Sequence, residues 1–463
     1  MFSQWQLRAA FARRLSDMYG REVPAYTTLV DVSREVNEEV LRERGADAER
    51  LGSIGRVTAE RHGAIRVGTP GELQQVARIF GALGMYPVGF YDLREAAASA
   101  VPVVSTAFRP VDGQELARNP FRVFTSMLTP ADPRFFDPEL RARLENFLAE
   151  RQLFPPELLA LADRAEGAGE LSDTDAERFL HLAVQVFELS PEPVDQAWYQ
   201  TLEKVSAVAA DIGGVTSTHI NHLTPRVLDI DTLYRRMTER GIEMIDTIQG
   251  PPRWQGPDVL LRQTSFRALA EPRALRTPGG QVTSGALRVR FGEVEARGIA
   301  LTRQGRARYD ALLARVDELA ARDPQADRAD VARALWTSEL PDTEHALATQ
   351  GLAHFTYHVA PDRPADGSRP PAGLEELLQQ GWIRAEPLVY EDFLPRSAAG
   401  IFQSNLSDEG SRNNDHTGIA YDSTWLSGAL DRDVLDPFDL YEEQQNHSLT
   451  QIARELALDG LPG

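Results

Sequence analysis

The sequence predicts an α+β fold: two paired βαβββ modules forming a metal-centred β-barrel, with a large helical insertion and a helical C-terminal region. Three observations carry this reading. The chain has 463 residues, enough for several units around more than one core. Two segments, 61–130 and 211–300, share the order strand, helix, strand, strand, strand, with β-branched and aromatic runs separated by Gly and Pro. The segments also share a register, since His62, Arg66 and Leu73 recur as His222, Arg226 and Leu233 at a constant offset of 160.

Each element has its own signal. Residues 1–60 read as N-terminal helices, because 6–18 and 32–44 carry apolar residues at helical spacing. In the first module RHGAIRVG is a strand. The helix of PGELQQVARIFGALG opens at Pro70-Gly71 and closes near Gly84. MYPVGFYDL, VVSTAFRP and FRVFTSML are the strands that follow. Residues 131–210 form a helical insert, with helices expected near 140–150, 156–163 and 174–189 and capping-box spacing between Thr174 and Glu177.

The second module begins with STHINHLTPRV. A helix over 231–240 has Asp231 as its expected N-cap and Gly241 just beyond its end. EMIDTI, VLLRQTSFRAL and ALRVRFGEVEARG are the three strands expected after it. Residues 301–463 are mostly helical, continuously so to about Ala348. They include a Pro-rich loop at 359–373, the stretch VYEDFLPRSAAGIFQSNL, a polar segment near 408–416 and a last helix over 441–458. The insert and this region are expected to cover one mouth of the barrel, with a C-terminal loop reaching the substrate site.

Composition narrows the function. Apolar residues make up 42 % and charged residues 25 %, ordinary for a globular protein. A net charge of −20 argues against nucleic acid or an anionic membrane as partner. The absence of cysteine removes disulfides, thiolate ligands and cysteine nucleophiles, and fits a reducing compartment. The first twenty residues read as an amphipathic helix, not a signal peptide, and no run approaches the ~18 apolar residues of a membrane span. A cytoplasmic protein is expected.

The repeat also bears on chemistry. A lone buried histidine is more often a hydrogen-bonded core residue than a ligand. Two at equivalent places in paired modules point instead to a shared centre. Residues four apart share a strand face, so His62 lies with Arg66 and His222 with Arg226, whereas His219 faces away from His222 on a regular strand. The register therefore selects His222 over His219. Glu293 and Glu295 in RFGEVEARG share a face and are both candidates for a third ligand. Two histidines and a carboxylate with open positions suit non-haem Fe(II). Arg66, on the ligand face, has the fork geometry to grip a substrate carboxylate, although taken alone such an arginine more often makes a structural salt bridge. His354 and His358 are four apart but have no accompanying carboxylate pattern. No P-loop, nucleophile elbow or H-E-x-x-H pair is present.

RHGAIRVGT, GMYPVGFYDL, STAFRP, PFRVFTS, HINHLTPR, LLRQTSF, RFGE and YEDFLP followed by SAAGIFQSNL resemble the 2-oxoadipate dioxygenase/decarboxylase family, also called hydroxyglutarate synthases, over nearly the whole chain. The resemblance implies the vicinal oxygen chelate fold, with βαβββ modules paired around a metal. It places the metal ligands at His62, His222 and Glu293, and the substrate-binding arginine at Arg66. It counts His62, Arg66, Ser397 and position 396 among the substrate contacts. Relatives tend to carry valine where this chain has Arg396, which leaves substrate length and affinity open. The implied reaction is Fe(II)-dependent conversion of 2-oxoadipate and O₂ to 2-hydroxyglutarate and CO₂, a late step of lysine breakdown. Two other readings are an O₂-independent isomerase or lyase using Zn²⁺, Mn²⁺ or Ni²⁺, and a non-catalytic 2-oxo acid binding protein.

Overall fold

Apolar periodicity and caps set the N-terminal helices. A short strand, β1 (Phe2–Ser3), precedes α1 (Gln4–Glu22), where the Gln6 side chain accepts from the Ser3 N–H. Pro24 opens α2 (Pro24–Arg44), and α3 (Ile54–Ala59) follows. The computed structural model describes residues 1–95, 100–288, 290–323, 325–365, 367–406, 417–458 and 460. The polar segment expected near 408–416 lies outside them.

The first module has the expected strand, helix, strand, strand, strand, β2 (Arg61–Val67), α4 (Pro70–Gly81), β3 (Tyr86–Asp92), β4 (Val103–Arg109) and β5 (Arg122–Leu128), with an unexpected short helix, α5 (Gly113–Arg118), before the last strand. Between the modules lie α6 (Pro138–Glu150), α7 (Pro156–Ala168), β6 (Glu170–Leu171), α8 (Asp173–Gln185), β7 (Val194–Asp195), α9 (Gln196–Glu203) and α10 (Ala207–Gly213). Ser172, not Thr174, caps α8 by accepting from the Asp175 N–H.

The second module departs from expectation in three places. Only four residues of its first segment form a strand, β8 (His222–Pro225). In α11 (Ile230–Glu239) the cap is Asp229, which accepts from the Thr232 N–H, while Asp231 pairs with Arg262. EMIDTI makes one isolated bridge, at Met244, with a second just beyond it at Gln249, before Gly250 (φ +101°) and Pro251-Pro252 turn the chain away. After β9 (Leu261–Phe266) an unexpected hairpin appears, β10 (Glu271–Arg276) with β11 (Val282–Leu287). Its turn contains Pro278-Gly279-Gly280. This splits ALRVRFGEVEARG between β11 and a separate strand, β12 (Gly292–Arg297).

The C-terminal region is helical where expected, with α12 (Arg303–Arg322), α13 (Arg328–Glu339) and α14 (Glu344–Thr349). It then adds an antiparallel pair, β13 (Phe355–Val359) and β14 (Ile383–Pro387), flanking α15 (Leu374–Gln379). α16 (Pro395–Leu406), α17 (Ser423–Leu430) and α18 (Pro437–Glu455) follow.

Pairing exposes the repeat. The main sheet has the order β3-β4-β5-β2-β8, with β2 and β8 antiparallel. β8 reaches β12 through a bridge between Arg226 and Glu295, and β12 pairs with β9, onto which Met244 and Gln249 bridge. In each module the first strand therefore lies beside the last, then the third, then the second. The first strands meet at β2–β8. No closed barrel forms among the described residues, which corrects that expectation. The outer edges are unlike: Val88 of β3 bridges to Leu435, whereas its counterpart in the second module is only two bridges long.

Both faces of the sheet are buried. Ile65, Val67, Val104, Phe108, Val123, Leu223 and Val294 point into a core shared with α1, α2, α4 and α8. The alternate residues, Ala64, Ala107, Phe124 and Leu128, join a second core with α6, α9, α10 and the C-terminal region. The polar site lies on this second face. Among the described residues no helix is long and apolar enough to cross a membrane.

Candidate metal centre

The β2–β8 seam brings the two register-matched histidines together. His62 lies opposite Thr224 and His222 opposite Ala64, so the imidazoles are diagonal neighbours on one face. Their ring centroids are 5.3 Å apart. Glu293 comes from the adjoining strand β12. The glycine before it is required by contact, since a Cβ at Gly292 would lie 1.9 Å from the Phe266 ring. Glu293 Oε1 is 3.1 Å from His62 Nε2, and Oε2 is 3.8 Å from His222 Nε2. One donor atom from each of the three lies within 4.8 Å of the others, and all three residues are buried.

The electrostatics fit a divalent metal. Burial, then the neighbouring His62 and Arg66, hold His222 well below its ordinary pKa, so its imidazole is neutral. Its Nδ1 is 3.0 Å from Thr224 Oγ1, which leaves Nε2 for a ligand. Burial also acts to lower His62, but Glu295 and Glu293 outweigh it and raise its pKa.

The two glutamates, indistinguishable by parity, differ in their surroundings. Burial raises Glu293 above its ordinary pKa; its neighbours are the imidazoles and the Gln263 amide, which donates to Oε1 at 2.5 Å. Burial acts the same way on Glu295, yet Arg297, His62 and Arg122 bring it down to about 2. Arg297 contacts it bidentately at 2.7 and 2.9 Å, and Arg122 lies at 3.3 Å. Glu295 already has its counter-cations. Glu293 is a buried carboxylate facing two imidazoles, the position where a metal ion supplies the missing positive charge.

The remaining candidates separate clearly. Arg66 is on the ligand face and forms a buried ion pair with Asp211 of α10. His219 does not face away from this group as a regular strand requires, because β8 begins only at His222. Its Nε2 is 3.3 Å from Asp211 Oδ1 and 3.2 Å from Asn221 Nδ2, and burial lowers its pKa to about 4. Arg396, expected among the substrate contacts, is instead exposed and pairs with Asp317 at 3.0 Å. It sits on the outward side of the first turn of α16, whereas Ser397 is buried. His354 is buried against Tyr441, while His358 is exposed.

Sequence reasoning missed several residues around the ligands. Phe393 packs edge-on against His62 with centroids 5.0 Å apart, and Phe291 stacks on His222 at 5.1 Å. Phe393 also borders a cavity of about 570 Å³ lined by Tyr91, Leu260, Tyr390 and Tyr441. Asp211, Gln263 and Thr224 each hold a site residue. Of these, Gln263 lies within the LLRQTSF stretch and was within reach of sequence reading; Asp211 carried no signal.

The fold and this buried His-His-Glu set are those of a mixed α/β protein with a candidate metal centre. A profile of the 2-oxoadipate dioxygenase/decarboxylase family matches residues 11–405. A 2-oxoadipate dioxygenase/decarboxylase of Mycobacterium bovis is 57 % identical over 94 % of this chain and 96 % of its own length. The Escherichia coli protein of that name is 40 % identical over 96 % of this chain and 97 % of its own. The crystal structure of hydroxyglutarate synthase from Pseudomonas putida in complex with 2-oxoadipate superposes with a TM-score of 0.85, at 39 % identity and 99 % coverage of both chains. The chain belongs to the 2-oxoadipate dioxygenase/decarboxylase family.

Proposed function

We propose that this protein converts 2-oxoadipate and O₂ to 2-hydroxyglutarate and CO₂ at an Fe(II) ion held by His62, His222 and Glu293. The observation that carries the proposal is the buried convergence of these three donors in a chain of this family. Bound there, Fe(II) supplies dioxygen activation and a chelation point for a 2-oxo acid. The balance closes, since six carbons and two added oxygen atoms leave as a five-carbon hydroxy diacid and CO₂.

The chain's own residues do the rest. Arg66, fixed by Asp211, holds a substrate carboxylate and so selects a diacid. Phe393 and Phe291 keep water from the two imidazoles. Ser397, buried at the start of α16, is assigned to the substrate pocket. On this reading 61–130 and 211–300 are the metal-holding modules of a vicinal oxygen chelate fold. The N-terminal helices at 1–60 back them, and 131–210 and 301–463 cover the site. The β2–β8 seam between equivalent strands supports that assignment.

The test is oxygen uptake when 2-oxoadipate is added to protein loaded anaerobically with Fe(II), with product analysis. Stoichiometric O₂ loss, CO₂ and 2-hydroxyglutarate are expected. Absence of uptake refutes the activity, and turnover without O₂ redirects it to metal-dependent isomerisation or lysis.

A further inference from the structure

We infer that Glu295 is a positioning residue for His62: it accepts the Nδ1–H of that imidazole, leaves the Nε2 lone pair for the metal, and ties the ligand to a buried charge network. The inference rests on the metal reading of His62 proposed above.

The geometry is a carboxylate on either side of one imidazole. Glu293 Oε1 lies 3.1 Å from Nε2, and Glu295 Oε2 lies 2.8 Å from Nδ1. Both carboxylates come from β12, two residues apart, so one strand supplies the partner for each ring nitrogen. The Nδ1 contact is at hydrogen-bond length, although the N–H is not yet in line with the oxygen. On this inference a ligand on Nε2 turns the ring so that this N–H meets the carboxylate. Metal-bound histidines generally give their other N–H to a carboxylate, carbonyl or water, and loss of that partner costs about 10–100-fold in metal affinity.

Glu295 is itself held in place. Arg297 grips both its oxygens, and Arg122 reaches Oε1. Arg122 also contacts Glu60 at 2.8 Å and pairs with Glu391, which pairs in turn with Arg56. Arg226 closes the group on Glu60 at 2.9 Å. Arg56, Arg122, Arg226 and Arg297 outnumber Glu60, Glu295 and Glu391 by one charge, so Glu295 stays a carboxylate in spite of complete burial. This also gives Arg226 a task. Its register partner Arg66 faces the substrate side, while Arg226 anchors the network behind the first ligand.

A cluster of buried ion pairs serves folding as well, so the experiment must separate the two roles. Glu295→Ala, Glu295→Gln and Glu391→Gln are compared for Fe(II) affinity by anaerobic chelator competition and for melting of the metal-free protein. Glu391→Gln removes a charge from the same network without touching His62. Glu295→Ala is expected to weaken Fe(II) binding about 10–100-fold. Glu295→Gln, whose amide oxygen still accepts the Nδ1–H, should fall between it and the wild type. Glu391→Gln should stay within about threefold while lowering the melting temperature. Equal losses in Glu295→Ala and Glu391→Gln overturn the inference. So does wild-type affinity in Glu295→Ala when His62→Ala has lost the metal, and in that case the metal reading survives. Should the alanine variant fail to fold, the near-isosteric glutamine variant decides: affinity equal to wild type overturns the inference, and a loss greater than that of Glu391→Gln supports it. If His62→Ala binds Fe(II) as tightly as wild type, the metal reading fails and this inference with it.

Discussion

Asp392→Asn is expected to cost this protein about 3–5 kcal/mol of stability, the range for breaking a buried ion pair by removing one partner. Arg109 and Asp392 are both fully buried, and their bidentate contact spans 2.7 and 3.1 Å. Burial alone lowers Arg109, but the Asp392 carboxylate more than offsets this and raises its pKa, so the guanidinium remains charged. The substitution conserves shape and therefore opens no cavity. It leaves a buried cation with the Pro110 carbonyl at 3.0 Å and a neutral amide in place of its counter-ion. With an unfolding entropy near 2.1 cal/mol/K per residue, 463 residues give about 1 kcal/mol/K, so the melting temperature should fall by roughly 3–5 °C. The assay is urea unfolding of the metal-free protein at pH 7, with Arg109→Met and the double variant completing a cycle. The double variant should lose less than the sum of the single ones by at least ~1–2 kcal/mol. A loss below ~1 kcal/mol in Asp392→Asn, or strict additivity, refutes the reasoning.

Three other outcomes are expected. His222→Ala should lose bound iron while His219→Ala retains most of it, measured by metal content after anaerobic loading and desalting; the reverse order refutes the register. Arg396→Ala should change KM for 2-oxoadipate by less than about fivefold, since an exposed pair is worth about 0–1 kcal/mol; a larger rise in KM returns this residue to the substrate site. Burial acts to raise Asp132, but Arg134 and then Arg94 outweigh it and hold it below its ordinary 3.8. A depressed carboxylate contributes stability that is complete above its unfolded pKa and is lost as the pH falls through the folded value. Asp132→Asn should therefore reduce stability at pH 7 and flatten the acid limb below about pH 4 in unfolding measured against pH; an unchanged acid limb counts against the ion pairs.

Much of the site was legible because strand parity and a repeat are both carried by sequence. The offset between His62 and His222 survives in the structure as two diagonal residues on adjoining strands. The choice between Glu293 and Glu295 was not legible from parity, because both share a face. It depends on which carboxylate Arg297 and Arg122 neutralise, a matter of contact between distant segments. His219 misled because the strand rule was applied to residues before the strand begins. EMIDTI lacks the strict alternation of a half-buried strand, and the segment makes only the bridges at Met244 and Gln249 before a Gly-Pro-Pro turn. The β10–β11 hairpin had a visible Pro-Gly-Gly turn. The β13–β14 pair had none, because helix α15 and a long loop separate its strands.

The wall behind His62 ties its formation to the order of synthesis. Phe393 sits on His62, and Tyr441 of α18 both pairs with Asp392 and accepts from the Glu391 N–H. Residues 62 and 441 leave the ribosome far apart in time, roughly 20–80 s at ~5–20 residues per second. By residue 297 the nascent chain holds β2, β8, β12 and the arginines around Glu295, while Phe393 and Tyr441 are still to be added. Phe393 is made a hundred residues after Glu293, so the aromatic cover of His62 closes only after all three donors are present in the chain.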